Sequence, residues 1–276
     1  MNLTLGFSTC PNDTFIFDAM VNGRIDTEGL RFQLHLADVE ELNQLGFSNT
    51  LDISKVSYHA FAYLSASYQL LTAGSALGFG NGPLLISKHK IFPDELDGLK
   101  IAIPGKYTTA NLLLSIAYPN LISKKEYLFS DIEEVILSGE ADAGVIIHEN
   151  RFTYQSKGLI KIVDLGEYWE QLTGLPIPLG GIIIKRDLPR ELRLTVNMVL
   201  ERSVRYAFEN PNDSLPFVKK HAQSMDESVM RKHIELYVND FTADLGPMGR
   251  EAITTLYDTS IEKSIFPPLQ PSWLID

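Results

Sequence analysis

Short apolar runs alternate with stretches in which apolar side chains recur every three or four positions, from the first residues to about position 185. The runs Leu3–Phe7, Gln33–Leu36, Asp52–Ser57, Leu84–Ser87, Lys100–Pro104, Ala143–Ile147, Ile160–Asp164 and Gly181–Lys185 read as strands. The spacing predicts a first helix from Pro11 to about Asn22, with proline suited to its first turn and Gly23 to the position just past its end. From Arg190 the texture becomes helical, with Leu192, Val196, Val199, Leu200, Ser203 and Ala207 on one stripe. Ser224 to Glu227 has the spacing of a capping box and predicts another helix start. The class is α/β.

The pattern also repeats. Strand, turn and helix in Leu3–Met20 are echoed by Lys100–Leu114, and Val39–Tyr58 is echoed by Ile132–His148. Counting six residues from Asp52 and from Asp142 reaches Tyr58 and His148, so these two positions correspond. Two similar α/β lobes follow, with residues 1–88 and 183–276 in the first and 89–182 in the second. Gly78–Pro83 and Pro176–Lys185 offer two crossings rich in glycine and proline, suited to hinge strands. Ligands of such folds lie at the carboxyl ends of the strands, here a cleft between the lobes.

Composition narrows the partners. With 276 residues, 45% apolar and 21% charged, the chain is globular. Its formal net charge of −11 argues against nucleic acid and anionic membranes, which need a cationic surface. No signal-peptide pattern or membrane-length apolar run is present, and the single cysteine fits a reducing compartment, so a cytoplasmic location is expected. Oligomeric state, monomer or homodimer, has no signature in the sequence.

Four strand ends carry candidate chemistry. Ser8–Asp13 opens the first helix, where free amides and the helix dipole suit an anion; Thr9, Asn12 or Asp13 acting as a simple cap is the better reading. Cys10 lacks an evident base and reads as a small buried hydrophobe. Tyr107, Thr108, Thr109, Ala110 and Asn111 form the counterpart turn, whose hydroxyls and amides suit a carboxylate or phosphate, while capping explains only one threonine. Ser54–Tyr58 ends a strand with hydroxyls that can fix a polar ligand, and His59 belongs to structure. His148 emerges from an apolar strand with Glu149 beside it, as a general base would. His148-Glu149 lacks the second histidine of a zinc helix motif, and Gly78–Gly82 matches neither nucleotide fingerprint, so neither metal nor nucleotide is expected.

The stretches S-T-C-P-N-D-T-F-I-F-D-A-M at 8–20, S-K-V-S-Y-H-A at 54–60, G-N-G-P at 80–83, T-T-A-N at 108–111, V-I-I-H-E-N-R-F-T-Y at 145–154 and L-P-I-P-L-G-G at 175–181 resemble the 1,4-dihydroxy-6-naphthoate synthase family of the futalosine route to menaquinone. The resemblance implies a two-lobed periplasmic-binding-protein-like type II fold with a central ligand cleft. It implies a lyase that converts cyclic dehypoxanthinylfutalosine, an aromatic carboxylate, to 1,4-dihydroxy-6-naphthoate and dihydroxyacetone without cofactor or metal. His148 would be the proton acceptor, and Lys55, Val56, Ser57, Thr109 and Ala110 would contact the substrate. Ser8, Asn12, Asp13 and Thr108 would line the cleft. Two alternatives stay open: a chorismate dehydratase of the same pathway, and a non-catalytic solute-binding protein.

Overall fold

A computed structural model describes residues 1–222 and 226–275. The chain forms two compact units, Met1–Gly78 with Pro178–Asp276, and Phe79–Ile177.

The first unit opens with β1 (Asn2–Phe7), α1 (Pro11–Val21), β2 (Arg31–Leu36), α2 (Val39–Phe47), β3 (Ile53–Ser57), α3 (Tyr58–Leu64), β4 (Tyr68–Leu70) and β5 (Ala76–Gly78). The second comprises β6 (Leu84–Ser87), β7 (Ile101–Ile103), α4 (Thr109–Ala117), β8 (Lys124–Glu126), α5 (Ile132–Ser138), β9 (Ala143–Ile146), α6 (Asn150–Thr153), β10 (Ile160–Asp164) and α7 (Leu165–Thr173). The chain then returns through β11 (Ile177–Lys185) to α8 (Arg190–Glu209), α9 (Leu215–His221), α10 (Glu227–Tyr237), α11 (Asp240–Ala243) and α12 (Gly246–Glu262).

The first sheet has the order β2-β1-β3-β11-β4, with β5 also paired to β11. Strands β2 and β3 flank β1 in parallel, and β11 is antiparallel to β3. The second sheet has the order β10-β6-β9-β7-β8, with β8 and β9 parallel to β7 and β6 antiparallel to β9. In the first unit β1 thus lies between β2 and β3, with antiparallel β11 beside β3; in the second β7 lies between β8 and β9, with antiparallel β6 beside β9. The echo extends to side chains. Asp52, just before β3, accepts the Thr4 amide of β1 at 2.9 Å, and Asp142, just before β9, accepts the Lys100 amide beside β7 at 2.8 Å. An aspartate thus clamps β3 to β1 in the first unit and β9 to β7 in the second.

Because β6 pairs with β9 and β10, it belongs to the second sheet. The units consequently divide at 78/79 and 177/178 rather than at the expected 88/89 and 182/183. Strands β4, β5 and β8 are additions to the sequence reading. Ser224 lies outside the described residues; at the helix start beyond it, Asp226 is the cap of α10 and accepts the amides of Ser228 and Val229.

The core of the first unit gathers alternate β1 residues Leu3, Leu5 and Phe7, α1 residues Phe15, Ile16 and Phe17, and the α8 stripe Val196, Val199, Leu200, Val204 and Ala207. Phe7 and Phe17 stack at 4.5 Å, which consigns Phe17 to packing. The second core is smaller, built from Ile86, Ala102, Ile146 and the α5 residues Ile132, Val135 and Ile136. Phe266 packs on His59, and Leu274 bridges to Leu70, so the C-terminal segment is part of the first unit.

Candidate active site

In the first unit, the carboxyl ends of β1 and β3 hold a buried polar network. Asp13, in the first turn of α1, reaches back to accept the Ser8 amide at 3.2 Å and the Ser8 hydroxyl at 2.7 Å. It also accepts Asn12 Nδ2 at 2.8 Å and pairs with Lys55 Nζ at 3.1 Å, with both charged side chains almost wholly buried. Lys55 donates further to the Gly74 carbonyl. Asn12 Oδ1 accepts the Nε2 proton of His233, a buried residue of α10, at 2.9 Å. Cys10 is the N-cap of α1, with no side-chain cap bond and Pro11 at the first helical position. The expected cap by Thr9, Asn12 or Asp13 is therefore absent: proline removes one amide donor, and Asp13 spends its oxygens on Ser8, Asn12 and Lys55 instead.

Ser57 is held by Asn43, which accepts its amide at 2.9 Å and donates to its hydroxyl at 3.3 Å. Val56 is fully buried in β3 and sits opposite Gly181 of β11. Tyr58 pairs its hydroxyl with Ser75 at 2.8 Å. Burial drives this phenol well above its ordinary pKa, the Ser75 bond opposing only in part, so it stays protonated.

In the second unit, the strand order brings different groups to one end of the sheet. Thr108 caps α4 through its hydroxyl, which accepts the Asn111 amide and donates to the Gly105 carbonyl. Thr109 and Ala110 are the first two residues of α4, at the positive end of the helix, and both are buried. His148 follows β9 and takes a left-handed backbone, φ 58°. That conformation is uncommon outside glycine, and histidine is among the residues that tolerate it. Its ring meets Phe129 edge-on with centroids 4.9 Å apart.

Neighbouring groups fix this corner. Arg151 donates to the Gly82 carbonyl ahead of β6 and pairs with Asp164 at the end of β10 at 3.0 Å. Asp164 also caps α7, accepting the amides of Gly166 and Glu167. Asn150 donates to buried Glu133 of α5 at 2.7 Å, as does Lys157. One arginine therefore ties together the ends of β6, β9 and β10, within three residues of His148.

The sequence reading named His148, Thr108, Thr109 and Ala110, and the second sheet gathers all four at its carboxyl end. It named Lys55, Val56, Ser57, Ser8, Asn12 and Asp13, and the first sheet gathers these at its own. Sequence reasoning missed His233, Arg151 and Asp164. Arg151 stood in plain view inside the H-E-N-R stretch, but its partners are distant in the chain and left no local signal.

A family model described as menaquinone biosynthesis matches residues 3–262. A 1,4-dihydroxy-6-naphthoate synthase of Thermus thermophilus is 41% identical over 96% of both chains. A second, from Streptomyces coelicolor, is 40% identical over 99% of this chain and 97% of that one. A crystal structure of a protein from Archaeoglobus fulgidus superposes with a TM-score of 0.91 at 34% identity, covering 96% of this chain and 98% of the other. At 13% identity, the alkanesulfonate-binding protein of Xanthomonas axonopodis shares the fold, with a TM-score of 0.74 over 99% of this chain and 97% of that one. This is the periplasmic-binding-protein-like fold. Matched over nearly its whole length, the chain belongs to the menaquinone-biosynthesis family, as an enzyme related to the 1,4-dihydroxy-6-naphthoate synthases.

Proposed function

We propose that the chain is the lyase that converts cyclic dehypoxanthinylfutalosine to 1,4-dihydroxy-6-naphthoate and dihydroxyacetone, with His148 as the base. The observation that carries this reading is the placement of His148 on a left-handed backbone at the end of β9, the strand flanked by β7 and β6. Adjacent strands lie about 4.8 Å apart, so β7 and β6 span roughly 10 Å, a length that suits a substituted two-ring aromatic. The α4 start supplies positive potential for the substrate carboxylate, with Thr109 and Ala110 at its first two positions. With that end fixed, His148 removes a proton, and elimination followed by retro-aldol-type cleavage is drawn forward by formation of the aromatic diol.

Lys55, Val56 and Ser57 contact the same substrate in this reading. Ser8, Asn12 and Asp13 act through Lys55, since the Asp13 carboxylate fixes the ammonium. The left-handed backbone at His148 costs on the order of 1–3 kcal/mol, a cost that is common at functional residues. No described helix is long and apolar enough to cross a membrane, and the cytoplasm is the compartment we assign.

The test is incubation of the purified chain with cyclic dehypoxanthinylfutalosine and, separately, with chorismate, followed by mass spectrometry. Dihydroxynaphthoate is expected, with kcat lowered about 10²–10⁴-fold in His148→Asn. Dehydration of chorismate would move the chain to the sister dehydratase. Silence on both would revive solute binding, and near-normal turnover by His148→Asn would remove the base from the mechanism.

A further inference from the structure

Asn81 stands apart from every other polar side chain at these strand ends. It is 1% exposed, and among the described residues neither its amide nitrogen nor its amide oxygen has a hydrogen-bond partner. Buried carboxamides are almost always satisfied, and leaving both halves unpaired is costly. The placement is also not loose. Ahead of it, the Gly80 amide donates to Glu170 at 2.6 Å. Behind it, the Gly82 carbonyl accepts Arg151, and the Pro83 carbonyl accepts the Leu165 amide at 3.0 Å. Gly82 also packs against the Gly166 backbone so closely that an added Cβ would lie 2.3 Å from Gly166 Cα. Three separate ties fix the backbone on which one unsatisfied amide is presented.

Its register points to the site. Leu84 of β6 faces Ile146 of β9 in an antiparallel pair, so the segment ahead of Leu84 and the segment after Ile146 leave the sheet at the same end, and Arg151, three residues past His148, donates to the carbonyl of Gly82, the neighbour of Asn81. On the other side of β9, beyond β7, Asn111 gives its amide nitrogen to the Lys106 carbonyl at 2.8 Å, which fixes the orientation of the group and leaves Oδ1 unpaired. Two carboxamide oxygens at this end of the sheet thus lack a donor.

We infer that Asn81 binds and positions the substrate by hydrogen-bonding a hydroxyl of its non-aromatic, three-carbon part, with the Asn111 oxygen as a second acceptor. The inference rests on the lyase reading above. A carboxylate has no proton to give and would leave both oxygens unmet, whereas a hydroxyl donates to Oδ1 and accepts from Nδ2. The donor-rich helix start therefore takes the acid, and the carboxamides take the hydroxyl-bearing end.

The experiment measures kcat and KM with cyclic dehypoxanthinylfutalosine, and Tm without it, for wild type, Asn81→Leu and Asn81→Ser. Leucine matches asparagine in the number and branching of its side-chain heavy atoms and carries no polar atom. It is expected to lower kcat/KM about 10–100-fold, mostly through KM. Its Tm should be unchanged or raised by about 2–4 °C, because an unmet amide has been removed. Asn81→Ser, which keeps a donor and an acceptor, should recover part of the loss. Wild-type kcat/KM in Asn81→Leu would overturn the inference and leave the lyase reading standing. A Tm several degrees below wild type with unaltered kinetics would also overturn it, since the amide would then be satisfied within the protein. Were wild type itself inactive on this substrate, the lyase reading would fall. The unmet amide is then judged by Tm alone, with Asn81→Leu at or above wild type supporting it and a lower value overturning it.

Discussion

The two units solve the same architectural problem and leave their strand ends in opposite states. In the first, the polar groups at the carboxyl ends of β1 and β3 bond to one another: Asp13 to Ser8, Asn12 and Lys55, Ser57 to Asn43, and Tyr58 to Ser75. In the second, the corresponding end holds His148 on a left-handed backbone and two carboxamides with unmet atoms. At the position where the first unit has a buried tyrosine opening a helix, the second has a half-buried histidine. The first unit's strand-end groups are bonded largely to one another, which in the proposed reading presents Lys55 and Ser57 to the substrate in fixed positions, while the second unit's carboxamides leave atoms unmet.

That contrast can be broken most severely through the buried ion pair. Lys55→Met leaves the Asp13 carboxylate buried beside neutral donors and is expected to cost about 3–5 kcal/mol in urea unfolding. The double variant with Asp13→Asn should regain most of that, and failure to regain it would show that Lys55 acts on stability by some route other than Asp13. Next comes the frame around Asn81. Gly82→Ala forces a Cβ onto the Gly166 backbone, with a loss of about 1–3 kcal/mol. It should also raise KM as Asn81 shifts; a raised KM at unchanged Tm would sharpen the claim that positioning matters.

The smallest effect compares the two clamping aspartates. Asp52 is opposed by burial, but bonds from the Thr4 amide and hydroxyl and from Lys185 outweigh it and hold its pKa below the ordinary 3.8. Folding therefore favours the ionised form. Its stabilisation is full above the unfolded value and fades as pH falls through the folded one. Asp52→Asn should cost about 1–2 kcal/mol at pH 7, with the gap to wild type closing as the pH is lowered below about 4. Asp142→Asn, exposed and with a single clamping amide, should cost about half as much or less. Equal costs would undo the idea that the first unit has reinforced its copy of the clamp.

How much of this was written in the chain depends on distance. Strands β1, β3, β6 and β10 were legible because each is a compact run bounded by turn residues. Strand β8, Lys124–Glu126, has no apolar face: its residues are exposed or half-buried, and only backbone pairing to β7 makes it a strand. Strands β4 and β5 are three residues each, too short for any period to register. The site followed the same rule. His148 and the α4 turn could be placed by the repeat, which is a property of neighbours in sequence. The Asp13–Lys55 pair, the His233–Asn12 bond and the Arg151 ties join residues far apart in the chain. The unmet state of Asn81 is a property of its surroundings and not of its letter.

Strand β11 has a consequence for how the chain comes to be folded. It lies inside the first sheet, paired to β3 on one side and β4 on the other, yet it is made only after the whole second unit. During synthesis, Met1–Gly78 must therefore wait with the edges of β3 and β4 uncovered, while Phe79–Ile177, being contiguous, can condense first. The long loop closure required by β11 makes the first unit the slow step and the aggregation-exposed one, and a nascent chain halted before Pro178 would hold a folded insert within an unfinished host.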